Sequence, residues 1–100
     1  MYIAMNKFKI VLGKEDEFEA VWKNRETQLR GIKGFKKFNL IKGHTNKEFS
    51  IYMSHSEWGT EKNFWDWTKS KSFKLSNKDV ASHRNLYLGS PYYEGFKVII

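Results

Sequence analysis

Asn6 lies within the first apolar run of the chain and has the parity of Tyr2, Ala4, Phe8 and Ile10. A carboxamide on a strand face that meets the core brings two donors and an acceptor into apolar surroundings. Leaving them unsatisfied costs about 1–3 kcal/mol. Asn6 therefore either bonds a neighbouring loop carbonyl or performs a polar task inside a pocket. The run Phe64-Trp65-Asp66-Trp67 offers a second kind of chemistry. Two tryptophans two positions apart on a helix point about 200° apart, so they cannot both face inward. The spacing from Phe64 to Trp67 and on to Phe73 marks Trp67 as the inward ring and Trp65 as nearer a rim or partner. An inward indole either fills the core or forms one wall of a flat pocket.

The motifs of other chemistries fail. The histidines are His44, His55 and His83, with no HExxH pair and no close carboxylate cluster. There are no cysteines, which removes disulfides, thiolate metal sites and cysteine nucleophiles. No GxSxG elbow, GxGxxG loop or phosphate-cradling glycine run is present, so hydrolase, dehydrogenase and kinase readings have no support. The net charge of +7 favours an anionic partner. RNA binding on strand-borne aromatics is not expected. Lys33, Gly34 and Phe35 begin such a signature, but Lys36 and Lys37 occupy the places of the small residue and the next aromatic. No apolar run approaches the roughly 20 residues of a membrane span, and no signal peptide is evident. The expectation is a cytoplasmic protein without membrane or nucleic-acid partners.

The elements that must position these residues follow from period and punctuation. Residues 2–12 alternate as a strand, and the acidic residues 15–17 open a helix that carries Phe18, Val21, Trp22, Arg25 and Leu29 toward Gly31. Residues 35–42 and 48–58 read as two strands joined by a hairpin turn over residues 43–47. Thr60 caps a second helix that kinks near residues 70–72, and residues 74–83 continue as a shorter polar helical stretch. Residues 92–100 close with alternating Phe96, Val98 and Ile100. No linker divides the chain, so a single domain over residues 1–100 is expected, large enough to bury about two-thirds of its unfolded surface. The order β-α-β-β-α-β is an α+β, ferredoxin-like arrangement with an antiparallel sheet. Helices would cover one sheet face. Ile3, Met5 and Val11 remain on the other, where a second copy would cover them.

Several segments together resemble one family. They are Ala4-Met5-Asn6-Lys7-Phe8, Gly34-Phe35, Trp58, Phe64-x-x-Trp67-x-x-Ser70-x-x-Phe73, and Leu86-Tyr87-Leu88-Gly89 with Glu94-Gly95-Phe96. The chain resembles the antibiotic biosynthesis monooxygenase (ABM) domain family, and within it the Isd-type and HmoA-like haem-degrading monooxygenases. The resemblance implies a homodimeric α+β barrel with one pocket per subunit. It implies catalytic roles for Asn6 and Trp67, with Phe8, Phe64, Phe73 and Asn77 about the substrate. The family's axial histidine falls at Asn77, and a neutral amide is a poor ligand for haem iron. His83 is the alternative axial ligand, although a regular helix would place it about 120° around from Asn77. The implied function is oxidation of a planar aromatic molecule, foremost haem degradation with haem as substrate and an external reductant. The alternatives are a cofactor-free oxygenase of a small aromatic or quinol, and a non-catalytic dimer that binds haem or another aromatic ligand.

Overall fold

The computed structural model describes residues 1–26, 29–71, 73 and 84–100. Its elements are β1 (Tyr2–Val11), α1 (Glu15–Glu26), β2 (Phe35–Thr45), β3 (Phe49–Trp58), α2 (Glu61–Thr68), a 3-10 turn at Arg84–Leu86, and β4 (Tyr92–Lys97). The strands form one antiparallel sheet in the order β2-β3-β1-β4, the ferredoxin-like α+β arrangement. Among the described residues, no helix is long and apolar enough to cross a membrane.

Period-2 alternation sets the two faces of the sheet. On β1, Tyr2, Ala4, Phe8 and Ile10 are buried, while Ile3, Met5 and Val11 on the opposite face are only half-buried. On β3 the inward residues are Ser50, Tyr52, Ser54, Ser56 and Trp58, and each stands opposite an inward residue of β1. The core has two parts. One packs Tyr2, Ala4, Leu29, Trp58 and Phe64, and the other packs Phe8, Ile10, Phe18, Tyr52 and Leu86. Acidic residues 15–17 lie in the first turn of α1, where the helix dipole favours negative charge.

Several boundaries differ from the sequence expectation. α1 is described as far as Glu26, residues 27 and 28 lie outside the described residues, and the Leu29 carbonyl, in a 3-10 turn before Gly31, accepts from Ile32 at 3.3 Å. The expected turn at residues 43–47 is shorter. β2 runs on to Thr45, and an irregularity between Lys42 and Thr45 absorbs Gly43 and His44. The chain reverses at Asn46, whose Oδ1 accepts from the amides of Glu48 (2.7 Å) and Phe49 (2.9 Å). β4 ends at Lys97; the Val98 amide still donates to the Met1 carbonyl at 3.0 Å, and Ile100 lies beyond the strand. Residues 74–83, expected to be helical, lie outside the described residues.

Candidate functional site

α2 brings the tryptophan-rich segment over the sheet. Thr60 caps it, its Oγ1 accepting from the Asn63 amide at 3.1 Å. Its start is pressed against the loop before β2. Gly59 donates to the Gly34 carbonyl at 2.8 Å, and a Cβ at Gly34 (φ +82°) would collide with the Asn63 side chain. Past α2 the Ser70 hydroxyl donates to the Trp67 carbonyl (2.6 Å) and accepts from the Phe73 amide (3.3 Å). This side chain–backbone bonding brings Phe73 back against Trp67, the rings meeting edge to face at 4.9 Å.

Between α2 and the inward sheet face lies a cavity of about 480 Å³, within the usual range for small-molecule sites. Asn6, Phe8, Phe64, Trp67 and Phe73 all line it, so the structure brings together those residues expected at a pocket. Asn77 and His83 fall outside the described residues. Trp65 also reaches the cavity and is 40% exposed, as its rim position requires.

Two groups in the cavity are conspicuous for their bonding. The Asn6 carboxamide makes no hydrogen bond with any described residue, so the loop-carbonyl alternative finds no partner among them. The buried Trp67 Nε1 likewise has no acceptor among the described residues. By contrast Trp58, packed 5.4 Å from Trp67, donates its Nε1–H to Ser56 Oγ at 2.9 Å. Phe64 and Tyr93 stack at 5.6 Å with an interplanar angle of 5°, and the Tyr93 hydroxyl is hydrogen-bonded to that of Tyr2. Burial, then that hydrogen bond, pushes the Tyr93 phenol well above its ordinary pKa.

Trp22 and Phe38 stack at 5.5 Å and 8° and line both this cavity and a second one of about 410 Å³. The second is bordered by Glu19, Lys23, Lys42 and Tyr52. Tyr52 donates to Glu19 Oε2 at 2.6 Å, and burial together with this carboxylate raises its pKa strongly. Sequence reasoning did not single out Ser54, Trp22, Phe38 or Tyr93 as cavity residues. Parity alone could place Ser54 and Tyr52 on one face, but the cavity wall needs the strand register and the helix position. Among the described residues no group of three or more His, Asp or Glu could hold a metal ion.

The sheet order and the helix-covered face with its aromatic cavity define an α+β protein of the ferredoxin-like class. The chain belongs to the antibiotic biosynthesis monooxygenase family, whose model matches residues 1–78. No curated protein matches it in sequence. Among solved structures, it is similar to the haem-degrader MhuD from Mycobacterium tuberculosis with two haems bound in its active site. That likeness has 18% identity, 100% of this chain, 97% of that chain and a TM-score of 0.74. It is also similar to SnoaB, a cofactor-independent oxygenase from Streptomyces nogalater, at 16% identity, 99% and 94% coverage and a TM-score of 0.72. A Bordetella bronchiseptica protein described under the same family name aligns at 17% identity, 99% and 97% coverage and a TM-score of 0.78. At these identities the likeness is one of fold.

Proposed function

We propose that the chain is an oxygenase of a planar aromatic molecule, which lies in the 480 Å³ cavity with an oxygen substituent on Asn6. The observation that carries this is the Asn6 carboxamide, without a hydrogen bond to any described residue, on the wall of a cavity lined by aromatic rings. Phe64, Trp67 and Phe73 offer ring faces and edges to a flat ligand. The Asn6 amide N–H stabilises negative charge that develops on a phenolate or enolate oxygen, in the manner of an oxyanion hole. Such a substrate gives up a proton to water and passes electrons to dioxygen. An activated ring methylene then becomes a ring carbonyl. Its two C–H bonds break, one atom of dioxygen forms the new C=O bond, and the other atom leaves as water with both hydrogens. Four electrons move from carbon to oxygen, so no further reductant is needed. Trp67 and Asn6 orient the ring, and the aromatic walls exclude water around the reacting carbon.

A second reading, haem degradation, draws on Asn6 and Trp67 sharing one cavity, the pair that the resemblance assigns to Isd-type enzymes. Haem would then be substrate and oxygen activator, supported by an external reductant. Its propionates call for cationic partners and its iron for a ligand. The described lining is neutral, its side-chain polar points being Asn6, Ser54, Ser56, Thr68 and the phenol and indole groups, which favours an uncharged ring system. Asn77 and His83, the positions considered for the iron, are outside the described residues.

The chain works as a homodimer in this reading. The helix-free sheet face carries Ile3, Met5, Ile41, Phe49, Ile51, Met53 and Phe96, an apolar surface that a second copy would bury.

The deciding experiment pairs two assays on one preparation. Oxygen uptake with a tricyclic aromatic ketone, without added metal or haem, is expected to proceed in wild type and to collapse in Asn6→Ala. Haemin is then titrated and ascorbate added. A Soret band that forms and decays, with no cofactor-free uptake, would transfer the reading to haem degradation. A stable Soret band without turnover would leave a binding protein.

A further inference from the structure

Ser50, Ser54 and Ser56 all face inward on β3, and two of them are engaged. Ser50 donates to Glu15 Oε2 at 3.1 Å and meets Thr45 Oγ1 at 3.0 Å. Ser56 donates to the Ala4 carbonyl at 3.3 Å and accepts from Trp58 Nε1. Ser54 is 6% exposed and makes no hydrogen bond with any described residue. A sheet interior ordinarily holds a β-branched apolar side chain at such a place, and here a hydroxyl opens onto the cavity instead. Ser54 thus retains hydrogen-bonding capacity that the described fold does not use.

Its location gives that capacity a target. Ser54 stands directly opposite Asn6 in the β1–β3 register and opposite Leu40 on the other side. Directly opposed residues bring their Cβ atoms to about 4.5–5.5 Å. Both side chains line the 480 Å³ cavity, and they do not bond each other. The inward face of the sheet therefore presents two polar groups, unbonded among the described residues, side by side to a cavity walled by aromatic rings.

We infer that Ser54 and Asn6 act as one two-point clamp, and that Ser54 determines specificity for an aromatic edge bearing two neighbouring oxygens, a hydroxyl beside a carbonyl or a second hydroxyl. This rests on the aromatic-substrate reading of the cavity. The Asn6 amide donates through Nδ2 and accepts through Oδ1, while the Ser54 hydroxyl rotates to donate or accept. A carbonyl takes the Nδ2–H, and the adjacent phenolic O–H is received by Ser54 Oγ; the reverse assignment is equally served. A ligand with a single oxygen pairs one of the two groups and leaves the other facing apolar ring surface. Polar sites discriminate strongly on that ground, whereas apolar walls do not. Ser50 and Ser56 lack this role because their hydroxyls are already committed.

The test is equilibrium binding by quenching of tryptophan fluorescence, using peri-dihydroxynaphthalene and a naphthol with one hydroxyl. Wild type is expected to bind the dihydroxy ligand about tenfold more tightly, the equivalent of one good hydrogen bond. Ser54→Ala should bring the two dissociation constants together by weakening only the dihydroxy ligand, and Ser54→Thr should retain the preference. Since no bond to a described residue is lost, the Ser54→Ala melting temperature should not fall, which separates recognition from a structural role. No preference in wild type, no binding of either ligand, or an equal effect of Ser54→Ala on both would overturn the clamp. A preserved preference without oxygen uptake on any aromatic substrate would overturn the oxygenase reading and leave the clamp standing.

Discussion

Trp58 and Trp67 pack against one another at 5.4 Å, yet among the described residues only Trp58 has an acceptor for its indole N–H. Trp58 is fully buried and tied to Ser56, whereas Trp67 borders the cavity with its nitrogen unbonded among the described residues. Phenylalanine at either position removes ring volume, but only at Trp58 does it also remove a hydrogen bond to a described residue. Trp58→Phe should therefore cost about 1 kcal/mol more than Trp67→Phe in urea unfolding. Equal costs would mean that the Trp67 nitrogen has a partner in solution.

Asn6 is expected to matter for turnover and little for the fold. Its carboxamide bonds no described residue, so Asn6→Ala should leave the melting temperature within a few degrees of wild type. Loss of the amide donor at a developing oxyanion should lower kcat/KM by about 10²–10³-fold. Steady-state oxygen uptake measures it, and a variant that retains full activity would remove Asn6 from the mechanism.

Alkaline stability should report on Tyr52 and Tyr93. Burial, and then hydrogen bonding to Glu19 and Tyr2 respectively, raises both phenols above their ordinary pKa. The folded state thus favours the neutral phenol. Below the unfolded-state value of about 10 the two states bind the same protons, and the full stability is present. Above it the unfolded chain ionises first, so stability falls as pH rises. Thermal melts across this range should show a steeper decline in wild type than in Tyr52→Phe or Tyr93→Phe; parallel slopes would contradict the assignment.

Gly95 is the position where the sheet admits the tyrosine pair. A Cβ there would collide with the hydroxyls of both Tyr2 and Tyr93. Gly95→Ala should destabilise by about 1–3 kcal/mol through forced displacement of these rings, and because Tyr93 lines the cavity, ligand affinity should fall with it. Chemical denaturation and fluorescence titration of the same variant check both outcomes.

The proposed dimer can be broken without disturbing the core. Ile41 lies on the helix-free face of the sheet, in register with Met53, and is 45% exposed. Ile41→Glu should convert a sedimenting dimer into a folded monomer, since a charge is costly only where the second copy would bury it. A wild-type protein that sediments as a monomer would overturn the dimer.

Alternation made the strands and their faces readable because a two-residue period depends on local geometry alone, and the Thr60 cap with the Phe64–Trp67 spacing did the same for α2. Local pattern misled at residues 43–47, where Gly43 looked like a turn. In the structure an irregular stretch of β2 takes up that glycine, and the Asn46 side chain supplies the turn instead. It could not show that Ser54 stands beside Asn6, or that Trp22 and Phe38 wall the cavity off from its neighbour. These relations join residues far apart in the chain, and register and packing across the whole sheet fix them. The sequence by itself determined which residue types face inward. Only the tertiary structure decided which of those inward polar groups find partners among the described residues and which, like Asn6 and Ser54, are left toward the cavity, because hydrogen-bond satisfaction is settled by neighbours that the chain brings together only on folding.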